Sequence, residues 1–289
     1  MFHIVTTIYS VLAFNRYFCP NNLNIMSEFK QTFNSSLGKK LIMALTGLFL
    51  CTFLIVHLSG NLSLFKHDDG YAFNAYANFM THFPPIRVVS YLLYLSIIVH
   101  AVYALILTIS NRKARPISYA AHNDSPASWA SKNMGLLGSI LLLFIVIHMK
   151  DFWFKYHQDD WSATGAYVIP FKEYKTDLRT GELISAVDLP AGKYKYAVYT
   201  EGSIETMVAK DLNQTVEVAF KQWWYVLFYV IALGTLSFHL LHGFQSAFHT
   251  LGWIHRKYKP IIYFIGTWVF AVIIPLGFAS MPVIYFFCR

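Results

Sequence analysis

Five stretches of this chain, at about residues 41–65, 88–109, 134–154, 223–245 and 261–286, are apolar for eighteen residues or more. Such runs are long enough to cross the roughly 30 Å hydrocarbon layer of a bilayer as helices. In lipid only a helix or a closed barrel satisfies its own backbone, and the runs show no two-residue alternation, so helices are expected. The composition agrees: 56% of residues are hydrophobic and 13% charged, against about 25% charged in ordinary soluble domains. The expected fold is an all-α integral membrane protein, a five-helix bundle. The fifth span carries Pro275 and Pro282, and a spanning helix tolerates proline where a neighbour takes up the freed carbonyl.

The net charge of +8 does not indicate nucleic acid, because the basic residues gather at the ends of apolar runs rather than along one stripe. Lys30, Lys39 and Lys40 precede the first span. Arg112, Lys113, Arg115 and Lys132 join the second to the third, and Arg256, Lys257 and Lys259 the fourth to the fifth. The opposite short loop balances Lys66 and Arg87 with Asp68 and Asp69. By the positive-inside rule the N-terminus is cytoplasmic and the C-terminus outside. The chain then divides into an N-terminal segment (1–37), spans one to three (38–157), a polar insertion (158–221) and spans four and five (222–289). The insertion holds seven Lys/Arg against ten Asp/Glu and is expected outside. The alternation in KYKYAVYT from Lys193, after the turn residues Leu189 to Gly192, predicts a small β-hairpin there.

The apolar run from Ile4 to Phe14 is too short to span and lacks a basic lead, so it makes a poor signal peptide. Met26 opens MSEFKQTFNSSLGKK, a natural cytoplasmic start, and the first 25 residues read as an extension from a mis-assigned start. Three cysteines, Cys19, Cys51 and Cys288, form no metal spacing, and neither a dinucleotide-binding nor a P-loop motif is present. Zinc, iron–sulfur and flavin chemistry are therefore not expected of this chain.

Four spans carry a histidine deep inside: His57 in LTGLFLCTFLIVHLSGN, His100 in VSYLLYLSIIVHAVYALILTI, His148 in MGLLGSILLLFIVIHMK and His239 in WYVLFYVIALGTLSFHLLHGF. Ionisable groups at that depth are costly and mark sites with partners. Counting from the span starts at 1.5 Å per residue, His57 and His148 lie roughly 21–24 Å from the cytoplasmic edge. His100 and His239 lie roughly 18–24 Å from the outer edge. Depth sorts them into an outer pair, His57 with His148, and an inner pair, His100 with His239. Paired imidazoles in a helical bundle are how membrane proteins hold haem iron, and two axial nitrogens leave no open position, which favours electron transfer. Two haems b are thus expected, with the four histidines as iron ligands. A lone intramembrane histidine is more often helix glue or a proton relay; four sorted by depth reverse that balance. His242 competes with His239 on the same helix face. Gly60 and Gly243, one turn beyond His57 and His239, offer room for a macrocycle or a neighbouring helix.

At these residues the chain resembles the five-helix, di-haem cytochrome b membrane subunit of succinate dehydrogenase and fumarate reductase. The likeness runs from about Ser36 to the end of span five, apart from the insertion. Its most specific pieces are LIVHLSGN around His57, FNAYANFM from Phe73, VHAVYAL around His100 and FHLLHGFQSAFHTLGW from Phe238. In that family a glycine follows the fourth-helix ligand by four residues, which selects His239, with Gly243 in register, over His242. The resemblance implies a subunit in the bacterial cytoplasmic membrane that anchors a flavoprotein and an iron–sulfur protein. It would pass electrons from the inner pair to the outer pair and on to a quinone, menaquinone by expectation. It also implies the reverse direction, fumarate reduction. One departure stands out: menaquinol-using fumarate reductases are expected to carry a carboxylate near the fourth-helix ligand, where this chain has Ser237 and Leu240. Candidates for the quinone pocket are Asn74, Asn78 and His82, in the loop into span two. Competing classes are the cytochrome b of another respiratory dehydrogenase or hydrogenase, and a haem-free transporter with histidine proton relays. A transporter would commonly show internal repeats with broken helices.

Overall fold

The computed structural model describes residue 31 and residues 35–114, 129–158, 169–190 and 194–288. The segment 1–25 with its start at Met26, Cys19, Lys30, Arg115 and the 159–168 part of the insertion lie outside them.

Among the described residues five helices are long and apolar enough to cross a membrane: Ser36–Phe65, Pro84–Lys113, Met134–His157, Trp223–Thr250 and Lys259–Cys288. They are here called spans one to five. Span one is capped by Ser35, whose hydroxyl accepts from the Gly38 amide at 2.9 Å, one of the four N–H groups a helix start leaves unpaired. Span two begins at Pro84, earlier than the sequence indicates, because Pro84 and Pro85 occupy the first turn, where no intrahelical N–H is required. Spans two and four each neighbour spans one and three, so the four form a ring whose diagonals are one–three and two–four. Span five packs outside that ring against spans four and one.

Span five shows how its prolines are accommodated. Pro275 has no N–H to offer the Ala271 carbonyl, and the Ser237 hydroxyl of span four donates to that carbonyl instead. A π-helical stretch, Ile265–Ile273, runs up to this point. Ser237 is therefore occupied by a backbone repair.

The segment entering span two is a helix, Tyr71–His82, and not the loop expected. The described residues of the insertion form a four-stranded antiparallel sheet, β1 (Phe171–Asp177), β2 (Leu183–Asp188), β3 (Ala197–Glu201) and β4 (Ile204–Lys210), in the order β2-β1-β4-β3, followed by the helix Leu212–Phe220. The membrane part is all-helical, as expected, and the strands are confined to the insertion. The single hairpin expected from residues 189–200 is corrected too. β2 and β3 are opposite edges, so the Leu189-Pro190 stretch starts a crossing between them and closes no hairpin. The strand in KYKYAVYT pairs forward with β4, Glu201 facing Ile204 across Gly202-Ser203. Gly202 has φ +63°, the left-handed value that the first position of a type II′ hairpin turn demands.

A buried polar clamp fixes the sheet to the bundle. Asn74, 1% exposed, donates to the Tyr174 hydroxyl at 2.7 Å and to Asp211 Oδ1 at 2.9 Å. Its own oxygen accepts from the Asn213 amide at 3.1 Å. The Tyr174 hydroxyl donates to the Asp69 carbonyl at 3.2 Å. Tyr285, from the end of span five, donates to Asn213 Oδ1 at 2.8 Å. Lys172 Nζ lies 3.3 Å from Asp211 Oδ2. Each buried polar atom so paired avoids a cost of about 1–3 kcal/mol.

The clamp carries its own pH dependence. Burial works to lower the Lys172 amine, but Asp211 and Asp188 beside it win and hold it above the ordinary lysine value. Burial, then the Asp211 charge, pushes the Tyr174 phenol up. A raised lysine stabilises the fold below its unfolded pKa and loses that contribution as pH rises through its folded value. A raised phenol opposes folding once pH passes its unfolded value. Both signs agree, so the insertion should loosen from about pH 10 upward. Limited proteolysis against pH should show cleavage within residues 171–210 rising there, ahead of any loss of helical circular dichroism.

Candidate haem-binding centre

The two histidine pairs meet across the two diagonals of the ring. His57 of span one faces His148 of span three with ring centroids 5.9 Å apart and planes crossed at 83°. His100 of span two faces His239 of span four at 6.3 Å and 61°. It is His239, and not His242 three residues on, whose ring faces His100. An imidazole nitrogen sits about 1.1 Å from its ring centre and about 2.0–2.1 Å from a first-row metal, so two imidazoles across one metal place their centroids about 6.3 Å apart. The inner pair has that spacing, and the outer pair, at 5.9 Å, falls a few tenths of an ångström short of it.

Three of the four rings are held by polar partners at Nδ1. For His100 the partner is Thr46 Oγ1 at 3.1 Å, from span one. That hydroxyl donates to the Ile42 carbonyl at 2.7 Å, so toward His100 it can only accept. His100 therefore carries its proton on Nδ1, leaving the Nε2 lone pair for a metal. For His148 the partner is the Tyr229 hydroxyl of span four at 2.9 Å. For His57 it is the Asn61 amide nitrogen at 3.2 Å, itself anchored on the His57 carbonyl at 2.7 Å; an amide N–H only donates, so in this arrangement His57 accepts at Nδ1, the reverse of His100. His239 Nδ1 is buried with no hydrogen-bond partner, an orphaned polar atom at the inner pair.

Small residues face the inner rings. A Cβ on Gly47 of span one would stand 3.3 Å from His100 Cε1, and one on Gly138 of span three 3.8 Å from His239 Cε1. Each glycine lies ten residues before the outer histidine of its own helix, a rise of about 15 Å. Spans one and three thus carry the outer pair and, about 15 Å away, leave room beside the inner one. The outer pair is walled by aromatic rings: Phe53 stacks on His57 at 5.1 Å, and Phe144 on His148 at 5.6 Å.

Among the described residues no group of three or more His, Cys, Asp or Glu could hold a metal ion alone. Two-donor sites suit a metal that brings its other ligands with it, and a porphyrin supplies four nitrogens in a plane. The inner spacing, the Nδ1–H tautomer at His100, the orphaned Nδ1 of His239 and the glycines beside the inner rings fit that group; at the outer pair His57 fits once the Asn61 amide turns its oxygen to Nδ1.

Compared with protein-family models, curated proteins and solved structures, the chain matches none. The chemistry therefore rests on the residues themselves.

Other residues singled out in the sequence resolve into local roles. A Cβ on Gly60 would stand 2.0 Å from the Tyr76 ring, so Gly60 admits the helix Tyr71–His82 and no macrocycle. A Cβ on Gly243 would meet nothing within 4 Å. Of the three quinone candidates, Asn74 is consumed by the clamp, with both amide protons and its oxygen engaged. Those partners lie on or beside the sheet, so Asn74 is not a local loop cap either. Asn78 and His82 follow at four-residue intervals on the same helix face. Asn78 is buried, and the His82 ring stacks on Tyr196 at 6.1 Å. Tyr196 comes from the insertion, which no reading of span two alone could reach. His249 pairs with Tyr263 at 3.0 Å, and His157 with the Trp153 carbonyl at 2.8 Å.

Proposed function

We propose that the chain is the di-haem cytochrome b subunit of a succinate:quinone oxidoreductase, anchoring a flavoprotein and an iron–sulfur protein to the membrane. The observation that carries the haem part is the meeting of four intramembrane histidines as two diagonal pairs, 5.9 and 6.3 Å apart, close to the spacing of a shared iron. The choice of succinate as electron source rests on the sequence resemblance around His57, His100 and His239.

Each haem, when bound, supplies a one-electron iron couple with no vacant coordination position. His57 and His148 would hold the outer group, and His100 and His239 the inner. Thr46 holds the His100 ring in the metal-binding tautomer, and the Phe53 and Phe144 rings exclude water from the outer level. The basic end, with Arg112, Lys113, Arg256 and Lys257, would face the cytoplasm and receive the iron–sulfur partner. The sheet end would lie outside, where Asn78, His82 and Tyr196 are the groups available to a menaquinone. With Ser237 bound to the Ala271 carbonyl, that hydroxyl is not free to carry protons along span four.

The test is a reduced-minus-oxidised spectrum of the purified chain with a haem-to-protein ratio, followed by succinate addition to membranes. Two b-type haems per chain, reducible by succinate, are expected. A ratio near one or zero overturns the di-haem reading, and two haems indifferent to succinate overturn the choice of dehydrogenase. In intact cells, external protease should cut the insertion and spare the basic loops; the opposite pattern inverts the orientation.

A further inference from the structure

The Tyr229 hydroxyl that meets His148 continues into a chain. It lies 3.3 Å from the Tyr225 hydroxyl, which lies 3.0 Å from Asp151 Oδ2. Asp151 sits three residues beyond His148 in the π-helical turn Met149–Phe154. Lys150 and Lys155 flank its carboxylate at 3.4 and 3.8 Å.

The direction of every bond in this chain follows from its end. A carboxylate only accepts, so the Tyr225 hydroxyl donates to Asp151. With that proton spent, Tyr225 can only accept from Tyr229. Tyr229 in turn can only accept from His148, whose Nδ1 must then carry a proton. The ring is left with its Nε2 lone pair directed to a metal. A negative charge thus ends a run of three hydrogen bonds beginning on a ligand imidazole, and bonds in such runs polarise one another. The more the Nδ1 proton is drawn toward oxygen, the stronger a donor Nε2 becomes, and the more ferric iron is favoured over ferrous.

The other rings lack this device. His100 rests on a neutral hydroxyl, His57 on an amide, and His239 Nδ1 on nothing. We propose that Tyr229 is a positioning residue of the outer site: through Tyr225 and Asp151 it fixes the His148 tautomer and lowers the one-electron potential there relative to the inner site. This rests on the di-haem reading. Tyr229 is well placed for the task because its ring is wedged between Phe144, at 4.9 Å, and Phe220, at 5.1 Å, so the hydroxyl cannot wander.

The experiment is a potentiometric titration of both haems in the purified full-length chain, followed by visible and low-spin electron paramagnetic resonance spectra. Tyr229→Phe keeps the wedge and removes the hydroxyl. Both haems should be retained, and the outer midpoint should rise by about a tenfold change in the ferric-to-ferrous ratio, or about 59 mV for one electron. The inner midpoint should stay in place. Asp151→Asn, at the end of the bundle, should move the outer midpoint in the same direction by less. Should Tyr229→Phe fail to fold, Asp151→Asn decides alone: a raised outer midpoint supports the proposal, and a fixed one overturns it. Midpoints that stay put, or that move together at both sites, overturn it while leaving the di-haem reading intact. A wild-type chain without haem overturns both.

Discussion

Glutamine in place of His57 or His148 should leave a protein holding one haem, the inner one, and glutamine in place of His100 or His239 should leave only the outer. The size of the effect follows from the donor set. On the proposed reading each site would have two protein ligands on opposite helices, so losing one would remove half of the protein's hold on the metal. Losing even an outer-shell partner of a metal ligand costs 10–100-fold in affinity, and losing the ligand itself costs more. The diagonal geometry makes the losses separable, because His57 and His148 face each other while their helices reach the inner rings through other residues, among them Thr46, Gly47 and Gly138. His242→Gln is the internal control and should retain both haems. The measurement is the pyridine haemochrome content per chain, with the two midpoints resolved by titration. Loss of both haems from a single replacement would mean that the sites fold as one unit. Loss on His242→Gln with retention on His239→Gln would overturn the ligand assignment.

What is legible in the sequence is what one helix can express alone. Apolar length marks the five spans, and counting 1.5 Å per residue from each start places the histidines at two levels. What is not legible is what neighbouring spans lend each other. Thr46 reads as an ordinary intramembrane threonine until span two brings His100 within 3.1 Å. Tyr229 carries no signal of its own in the sequence and gains a role only when span three brings His148 to it. One further signal does sit in the sequence: the glycines ten residues before His57 and His148 mark the places where the inner rings pass. The insertion resists a sequence reading for a related reason. Its strands pair across the sheet in an order that neither alternation nor a single turn reveals, although Gly202-Ser203 carries the local hairpin signal. Asn74, a quinone candidate by its sequence position, has its partners 100 and 137 residues further along the chain.

Gly70→Ala should detach the insertion from the bundle. Gly70 has φ +83°, and an alanine there meets the Cβ–carbonyl crowding that costs about 1–2 kcal/mol. Space is a second obstacle: the added methyl would stand 2.6 Å from Asn213 Cβ and 2.8 Å from its Cγ. Asn213 cannot swing away cheaply, because it is buried, its amide donates to Asn74 and its side chain accepts from Tyr285. Overpacking a fixed neighbour adds about 1–3 kcal/mol, so about 2–5 kcal/mol is lost at the point where the helix Tyr71–His82, the sheet and span five join. The five spans do not depend on the clamp for their own backbone bonds, so both haems should stay while the insertion becomes protease-sensitive at neutral pH. Replacing Asn213 with glycine removes the Cβ that the new methyl strikes and leaves the strain at φ. Because Asn213→Gly also removes the Oδ1 that accepts from Tyr285, the rescue is read against Asn213→Gly alone: Gly70→Ala should cost less in that background than in the wild type, by the steric part. A Gly70→Ala protein whose insertion resists protease as the wild type does would show that the clamp holds through other contacts. One that loses the outer haem as well would show that the sheet braces the end of span one around His57, tying the insertion to the chemistry rather than to the fold alone.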